Sequence, residues 1–146
     1  MVCLGNICRS PLAEGIMKDK VSKRQLDWYI DSAGTGAWHA GELPDPRSIK
    51  IARENNIDLS DQRARQFTKN DFDNFDLILV MDSSNYQDVL RQANSEEQKA
   101  KVKMIMNFES PGMNQNVPDP YYGNDGFGLV YDMLERSCEK IVYELA

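Results

Sequence analysis

Short apolar runs alternate along this chain with longer segments whose apolar residues recur at helical spacing. The clearest run, 77–81, is continuously apolar, as expected of a central parallel strand that is buried on both faces. Weaker apolar runs predict further strands at 1–3, 28–30 and 102–106. The pattern therefore predicts four strands.

Helical spacing and capping signals fill the intervals between these strands. Asp45 followed by Pro46 has the chemistry of an N-cap and a first helical turn, and Thr68 with Asp71 predicts a short helix. The other helices are predicted at 10–24, 82–93 and 125–146. Alternating strands and helices predict a parallel α/β sandwich, in which ligands bind at the carboxyl ends of the strands.

Composition narrows the class of protein. A length of 146 residues suits a single domain spanning 1–146, and a net charge of −6 argues against nucleic-acid and anionic-membrane partners. No apolar stretch approaches a membrane-spanning helix or a signal peptide. Three cysteines and one histidine favour free thiols in a reducing, cytoplasmic compartment over disulfides or a metal site.

The segment from Cys3 to Pro11 (CLGNICRSP) carries the main chemical signal. A glycine-containing loop that leads into a helix is an anion site, because free N–H groups and the helix dipole point at the ligand. The same field favours a thiolate at Cys3, and Arg9 adds a planar fork suited to phosphate oxygens. The other interpretation of these residues is a buried strand cysteine followed by an ordinary capped turn.

Several motifs together resemble the low-molecular-weight protein tyrosine phosphatases. They match that family's landmarks in order and spacing over the whole chain: Cys3–Glu14, Asp31–Thr35, Asp45–Arg47, Met81–Asp82 and Pro118–Tyr122. The resemblance implies a four-stranded parallel sheet with helices on both faces. It also implies hydrolysis of protein phosphotyrosine to inorganic phosphate with no metal and no cofactor. We expect a monomer.

The chain departs from this family at one point. A longer apolar run usually precedes the nucleophile, whereas only Met1 and Val2 precede Cys3 here. A short central strand buries less surface, so we expect an effect on stability more than on chemistry.

The resemblance assigns catalytic roles residue by residue. Cys3 would form a phosphocysteine intermediate, Arg9 would bind two phosphate oxygens, and Asp119 would act as general acid and then as base. Asp119 before Pro120 is also ordinary turn chemistry. The predicted phosphate-binding residues are Leu4, Gly5, Asn6, Ile7, Cys8, Arg9 and Ser10.

Further residues are expected to support the loop. Asn6 would bond Ser32 and Ser10, Ser10 would donate to the Cys3 thiolate, and Asp82 would fix a nearby loop. Cys8 has two interpretations, a reversible disulfide partner of Cys3 or a small apolar filler.

The aromatic residues Trp38, Tyr121 and Tyr122 are expected to wall the substrate site. His39 is expected to be a solvated loop residue, and Cys138 a core residue.

Other functions are disfavoured by particular residues. A thiol-coupled arsenate reductase needs further cysteines, and none lies between Arg9 and Ser137. A protein-arginine phosphatase tends to have threonine where this chain has Ile7. A module that only binds phosphate could lose Cys3 or Asp119, and both residues are present. A nucleotide-binding α/β domain is disfavoured because the chain has no glycine-rich nucleotide motif.

Overall fold

A four-stranded parallel sheet forms the centre of the molecule, with the strand order β2-β1-β3-β4. The computed structural model describes residues 1–123 and 125–146. The strands are β1 (Val2–Cys3), β2 (Ala33–Gly34), β3 (Ile78–Val80) and β4 (Val102–Met104). The predicted α/β fold with a parallel sheet is confirmed.

Six α-helices are assigned in the described part of the chain. They are α1 (Arg9–Lys23), α2 (Pro46–Glu54), α3 (Asp71–Asn74), α4 (Ser83–Leu90), α5 (Glu96–Ala100) and α6 (Phe127–Leu145). Asp45 caps α2 by accepting from the Arg47 N–H, and Asp82 caps α4 by accepting from the Asn85 N–H. The sequence did not predict α5, because its five residues include no buried side chain and therefore no apolar pattern.

The predicted strand at 28–30 is wrong. The second strand is Ala33–Gly34, which pairs with Val2 and Cys3. A segment forms a strand only where its backbone pairs with a neighbouring strand. β1 has two residues, and they pair with Ala33 and Gly34 rather than with residues 28–30. The strand predicted at 102–106 also ends early, because Ile105–Asn107 forms a 3₁₀ helix.

The two faces of the sheet pack against different helices. On one face, α1, α2 and α6 contact each other and cover Leu79 and Met81. On the other face, Phe72 of α3 and Val89 of α4 pack on Val80. Burial on both faces fixes the strands, so the loops that follow them emerge from a rigid layer.

The carboxyl ends of the strands converge on one edge of the sheet. The loop after β1 runs from Leu4 to Cys8 and leads into α1, and Asp82 follows β3. Val117 reaches the same edge, since its N–H donates to the Met81 carbonyl at 2.8 Å. Among the described residues, no helix combines the length and the apolarity needed to span a membrane.

Candidate active site

Cys3 ends β1 and is buried at the base of the loop. Its Sγ lies 3.0 Å from Ser10 Oγ and 3.3 Å from the Asn6 backbone nitrogen, whose N–H donates to the sulfur. The structure thus places the Ser10 hydroxyl and the Asn6 N–H within hydrogen-bond distance of the sulfur. The role of Ser10 as a donor to a thiolate stays a prediction.

The orientation of these hydrogen bonds follows from the Asn6 side chain. The Arg65 N–H donates to Asn6 Oδ1 at 3.0 Å, so the Asn6 amide must donate to both of its hydroxyl partners. It donates to Ser10 Oγ at 2.7 Å and to Ser32 Oγ at 2.9 Å. Because Ser10 Oγ accepts from Asn6, its own proton has two acceptors in reach, Cys3 Sγ at 3.0 Å and the Ala33 carbonyl at 3.5 Å.

The loop has a backbone conformation that few residues accept. Asn6 has φ 57°, in the left-handed region that asparagine tolerates better than most side chains. Gly34 lies directly beneath the loop, and a Cβ there would be 2.8 Å from the Leu4 carbonyl oxygen. Only glycine allows β2 to approach the loop so closely.

Four backbone N–H groups of the loop are available to an anion. Those of Leu4, Gly5, Ile7 and Cys8 have no acceptor among residues 1–123 and 125–146. The loop leads directly into the N-terminus of α1, where the helix dipole also favours negative charge. This arrangement can hold the oxygens of a phosphoryl group.

The Arg9 side chain is held beside the loop by Asp82 and by the Val117 carbonyl. Its Nη1 donates to Asp82 Oδ2 at 2.7 Å and to the Val117 carbonyl at 2.9 Å, and the side chain is almost fully buried. Asp82 thus serves both the α4 cap and Arg9, as the expected loop support. Nη2 of Arg9 lies 3.7 Å from Asp119 Oδ2, so the structure brings the predicted fork and acid together.

Asp119 lies at the rim of the site. Its side chain is 35% exposed, and its Oδ1 accepts the Tyr121 N–H at 3.0 Å. A carboxyl group that is partly open to solvent can exchange protons with water and with a leaving group.

A cleft of about 320 Å³ opens above Cys3. It is lined by Cys3, Leu4, Gly5, Ile7, Cys8, Arg9, Trp38, His39, Asp119, Tyr121 and Tyr122. The aromatic wall is exposed, with Trp38 at 72% and Tyr122 at 92% accessibility, and the rings of Tyr121 and Tyr122 meet edge to face at 5.0 Å. All three predicted aromatic residues therefore reach the cleft.

Comparisons with known proteins show the family of the chain. The family model described as low molecular weight phosphotyrosine protein phosphatase matches residues 1–146. A relative of that name from Schizosaccharomyces pombe is 46% identical, over 99% of this chain and 94% of its own length. The chain belongs to the low molecular weight phosphotyrosine protein phosphatase family.

Solved structures of phosphatases resemble the whole molecule. An Entamoeba histolytica protein tyrosine phosphatase with Hepes in its active site has a TM-score of 0.91 at 39% identity, covering 99% of this chain and 93% of that one. A Drosophila arginine phosphatase has a TM-score of 0.90 at 32% identity, covering 98% and 94%. The backbone is therefore common to phosphatases whose names specify different phosphoamino acids.

Cys8 also lines the cleft of this phosphatase. Burial, together with the negative charge of Asp45, raises the pKa of the Cys8 thiol to about 12. Cys8 is thus a neutral thiol at physiological pH, and its redox partnership with Cys3 stays a prediction. Cys138 is packed in the core as expected, and burial raises its pKa to about 12.

Sequence reasoning missed three residues of this site. His39 lines the cleft with its Nδ1 2.6 Å from Glu42 Oε2, so it is not simply a solvated residue. Glu14 accepts from the Ser32 hydroxyl at 2.6 Å. In the sequence, a carboxylate within the apolar stretch of α1 could have indicated this role. Arg47, within a motif that the sequence did reveal, contacts the loop that carries Asp119.

Proposed function

We propose that this protein hydrolyses protein phosphotyrosine through Cys3, Arg9 and Asp119. The observation that carries the proposal is the shared cleft, in which a buried cysteine with two donors faces an arginine–aspartate pair. A nucleophile, an anion cradle and a proton donor are the three groups that phosphomonoester cleavage through cysteine requires.

The first step transfers the phosphoryl group to the enzyme. The Cys3 thiolate attacks phosphorus, and the bond from phosphorus to the tyrosyl oxygen breaks. Asp119 gives its proton to the leaving phenolate. The loop N–H groups and Arg9 bind the oxygens on which charge develops, as in phosphoryl transfers generally.

The second step regenerates the enzyme. A water molecule loses a proton to the Asp119 carboxylate and attacks the phosphocysteine. The sulfur–phosphorus bond breaks, Cys3 returns as a thiolate, and inorganic phosphate leaves. The proton that Asp119 gains replaces the one that it lost, so the cycle balances without a metal or a cofactor.

The shape and chemistry of the cleft support an aromatic substrate. Trp38, Tyr121 and Tyr122 form an open apolar wall beside the loop, which suits a phenyl ring carried on a protein surface. Ile7 also lines the cleft, where an apolar side chain favours a phenyl ring over a charged guanidino group.

We also propose a domain extent, a location and an oligomeric state for this protein. One catalytic domain over residues 1–146 is supported by the extent of the family match. A cytoplasmic location is supported by three free cysteines, and a net charge of −6 supports the absence of nucleic-acid and membrane partners. We propose a monomer.

Hydrolysis of an aryl phosphate in excess EDTA tests the proposed function. We expect activity in the unmodified protein, none in Cys3→Ser, and unchanged activity in Cys138→Ala, whose cysteine is also buried but lies in the core. Hydrolysis of a phosphotyrosyl peptide should exceed that of phosphoarginine. A folded protein without activity, or an active Cys3→Ser variant, would contradict the proposal.

A further inference from the structure

The guanidinium group of Arg47 connects two segments of the chain. It binds the Asp45 carboxylate through Nε to Oδ1 and through Nη2 to Oδ2, both at 3.0 Å. It also donates from Nη2 to the Tyr121 carbonyl at 2.9 Å and from Nη1 to the Gly123 carbonyl at 2.6 Å. Its central carbon lies 4.6 Å from the Phe127 ring centroid, within cation–π range.

One end of this connection is fixed to the phosphate-binding loop. The Asp45 N–H donates to the Ile7 carbonyl at 2.8 Å, and Ser48 Oγ donates to the Cys8 carbonyl at 3.2 Å. The start of α2, which carries Arg47, therefore keeps a constant position relative to the loop that holds Cys3.

The other end is the segment 118–123, which contains Asp119. Within the part of the chain that the structure describes, Arg47 makes the only hydrogen bonds joining this segment to another one. Tyr121, which Arg47 binds through its carbonyl, donates its N–H to Asp119 Oδ1 at 3.0 Å. The Tyr121 peptide therefore holds one oxygen of the carboxyl group, while Arg9 Nη2 faces the other oxygen at 3.7 Å.

We propose that Arg47 is a positioning residue for the general acid, holding the Asp119 segment at a fixed distance from the Cys3 loop. The proposal rests on the proposed catalytic function of Asp119. A guanidinium fork suits this task, because several donors in one rigid plane can bind a carboxylate and two carbonyls simultaneously.

Poor positioning of Asp119 makes the rate depend on the leaving group, whereas a general structural defect does not. The ratio kcat/KM covers the steps up to departure of the phenol. A phenol with an ordinary pKa of about 10, like tyrosine, needs a proton in order to leave, whereas a strongly acidic phenol does not. Loss of acid positioning therefore slows phenyl phosphate far more than 2,4-dinitrophenyl phosphate.

The experiment compares kcat/KM for these two substrates in Arg47→Ala, Arg47→Lys and Asp119→Asn and in the double variant Arg47→Ala/Asp119→Asn. For Arg47→Ala we expect a loss of about 10- to 100-fold with phenyl phosphate and less than about threefold with 2,4-dinitrophenyl phosphate. Arg47→Ala should add nothing once Asp119 is replaced. Arg53→Ala, at the exposed end of the same helix, is the matched control and should behave like the unmodified protein.

Three results would overturn the proposal: equal losses with both substrates, no loss with either, or a full additional loss in the double variant. Arg47→Lys retains the charge without the fork, so it tests the same points if Arg47→Ala has a lowered melting temperature. If Asp119→Asn itself shows no dependence on the leaving group, the acid assigned in the proposed function is wrong, and the role of Arg47 is rejected with it.

Discussion

The two halves of the cleft are built differently. The loop 3–10 is mostly buried, and side-chain hydrogen bonds link Cys3, Asn6, Ser10 and Ser32. The segment 118–123 on the opposite side is largely exposed, and the hydrogen bonds of Arg47 and the Arg9–Asp119 ion pair join it to other described segments. In the proposed mechanism, the phosphate group is therefore bound in a fixed geometry, whereas the substrate ring and the acid lie at a more accessible rim.

Replacing Asn6 should have the largest effect, because it breaks the fixed half. Asn6→Ala removes three hydrogen bonds and places alanine at φ 57°. We expect a loss of about 3 kcal/mol in the free energy of unfolding and about 10²-fold in kcat/KM. Urea denaturation and aryl phosphate kinetics measure the two effects.

Asn56→Ala is a matched control for this prediction. Asn56 is exposed and has φ 63°, but its side chain makes no hydrogen bond to any residue that the structure describes. It should lose about 1 kcal/mol from the backbone alone, with activity unchanged. Equal stability losses at the two asparagines would mean that the network around Cys3 contributes nothing.

Asp45 and Arg47 join the two halves, and the stability that their contact contributes should depend on pH. Burial alone would raise the pKa of Asp45, but hydrogen bonds from Arg47 outweigh it and lower the pKa below the ordinary value. A lowered pKa in the folded protein contributes stability above the ordinary value of about 3.9, which is lost as pH falls through the folded-state pKa. We therefore expect Asp45→Asn to be less stable by about 2 kcal/mol at neutral pH.

This difference between Asp45→Asn and the unmodified protein should shrink as the pH falls below about 4. Thermal or urea unfolding across acidic pH provides the measurement. A stability difference that is constant down to low pH would show that packing, rather than the ionised carboxylate, accounts for the loss.

The fold and much of the buried half could be predicted from the sequence. The residues from Cys3 to Pro11 follow one another directly, so their contacts depend on local spacing and on capping chemistry. The second strand could not be located, because Trp28 to Ile30 is the more apolar run, whereas Gly34 is needed for its close approach to the loop. Pairing with β1 selects Ala33–Gly34 over residues 28–30, and pairing between distant segments cannot be predicted from local sequence.

The exposed half was less predictable for a related reason. Arg47 binds backbone carbonyls of Tyr121 and Gly123, and a carbonyl has no distinguishing mark in a sequence. His39 likewise reaches the cleft through the path of its loop rather than through a motif.

The smallest effect is expected at the rim. Tyr122 is 92% exposed, so Tyr122→Ala should change the free energy of unfolding by less than about 0.5 kcal/mol. Loss of part of the aromatic wall should raise KM for a phosphotyrosyl peptide about threefold, with little change in kcat. Tyr143→Ala removes another highly exposed tyrosine, 81% accessible, from α6 and should alter neither value. A large stability loss at Tyr122 would show that the rim is not the loosely held half.

The most direct test of the account is whether phosphate passes through Cys3. The Asp119→Asn variant is mixed with 2,4-dinitrophenyl phosphate, whose phenol leaves without a proton, so that only the second step is slowed. The reaction is quenched rapidly in acid for peptide mass spectrometry. Because Cys8 lies on the same peptide, the measurement is made in a Cys8→Ala background. We predict one phosphoryl group on Cys3, and a protein that turns over the substrate with an unmodified Cys3 would contradict the account.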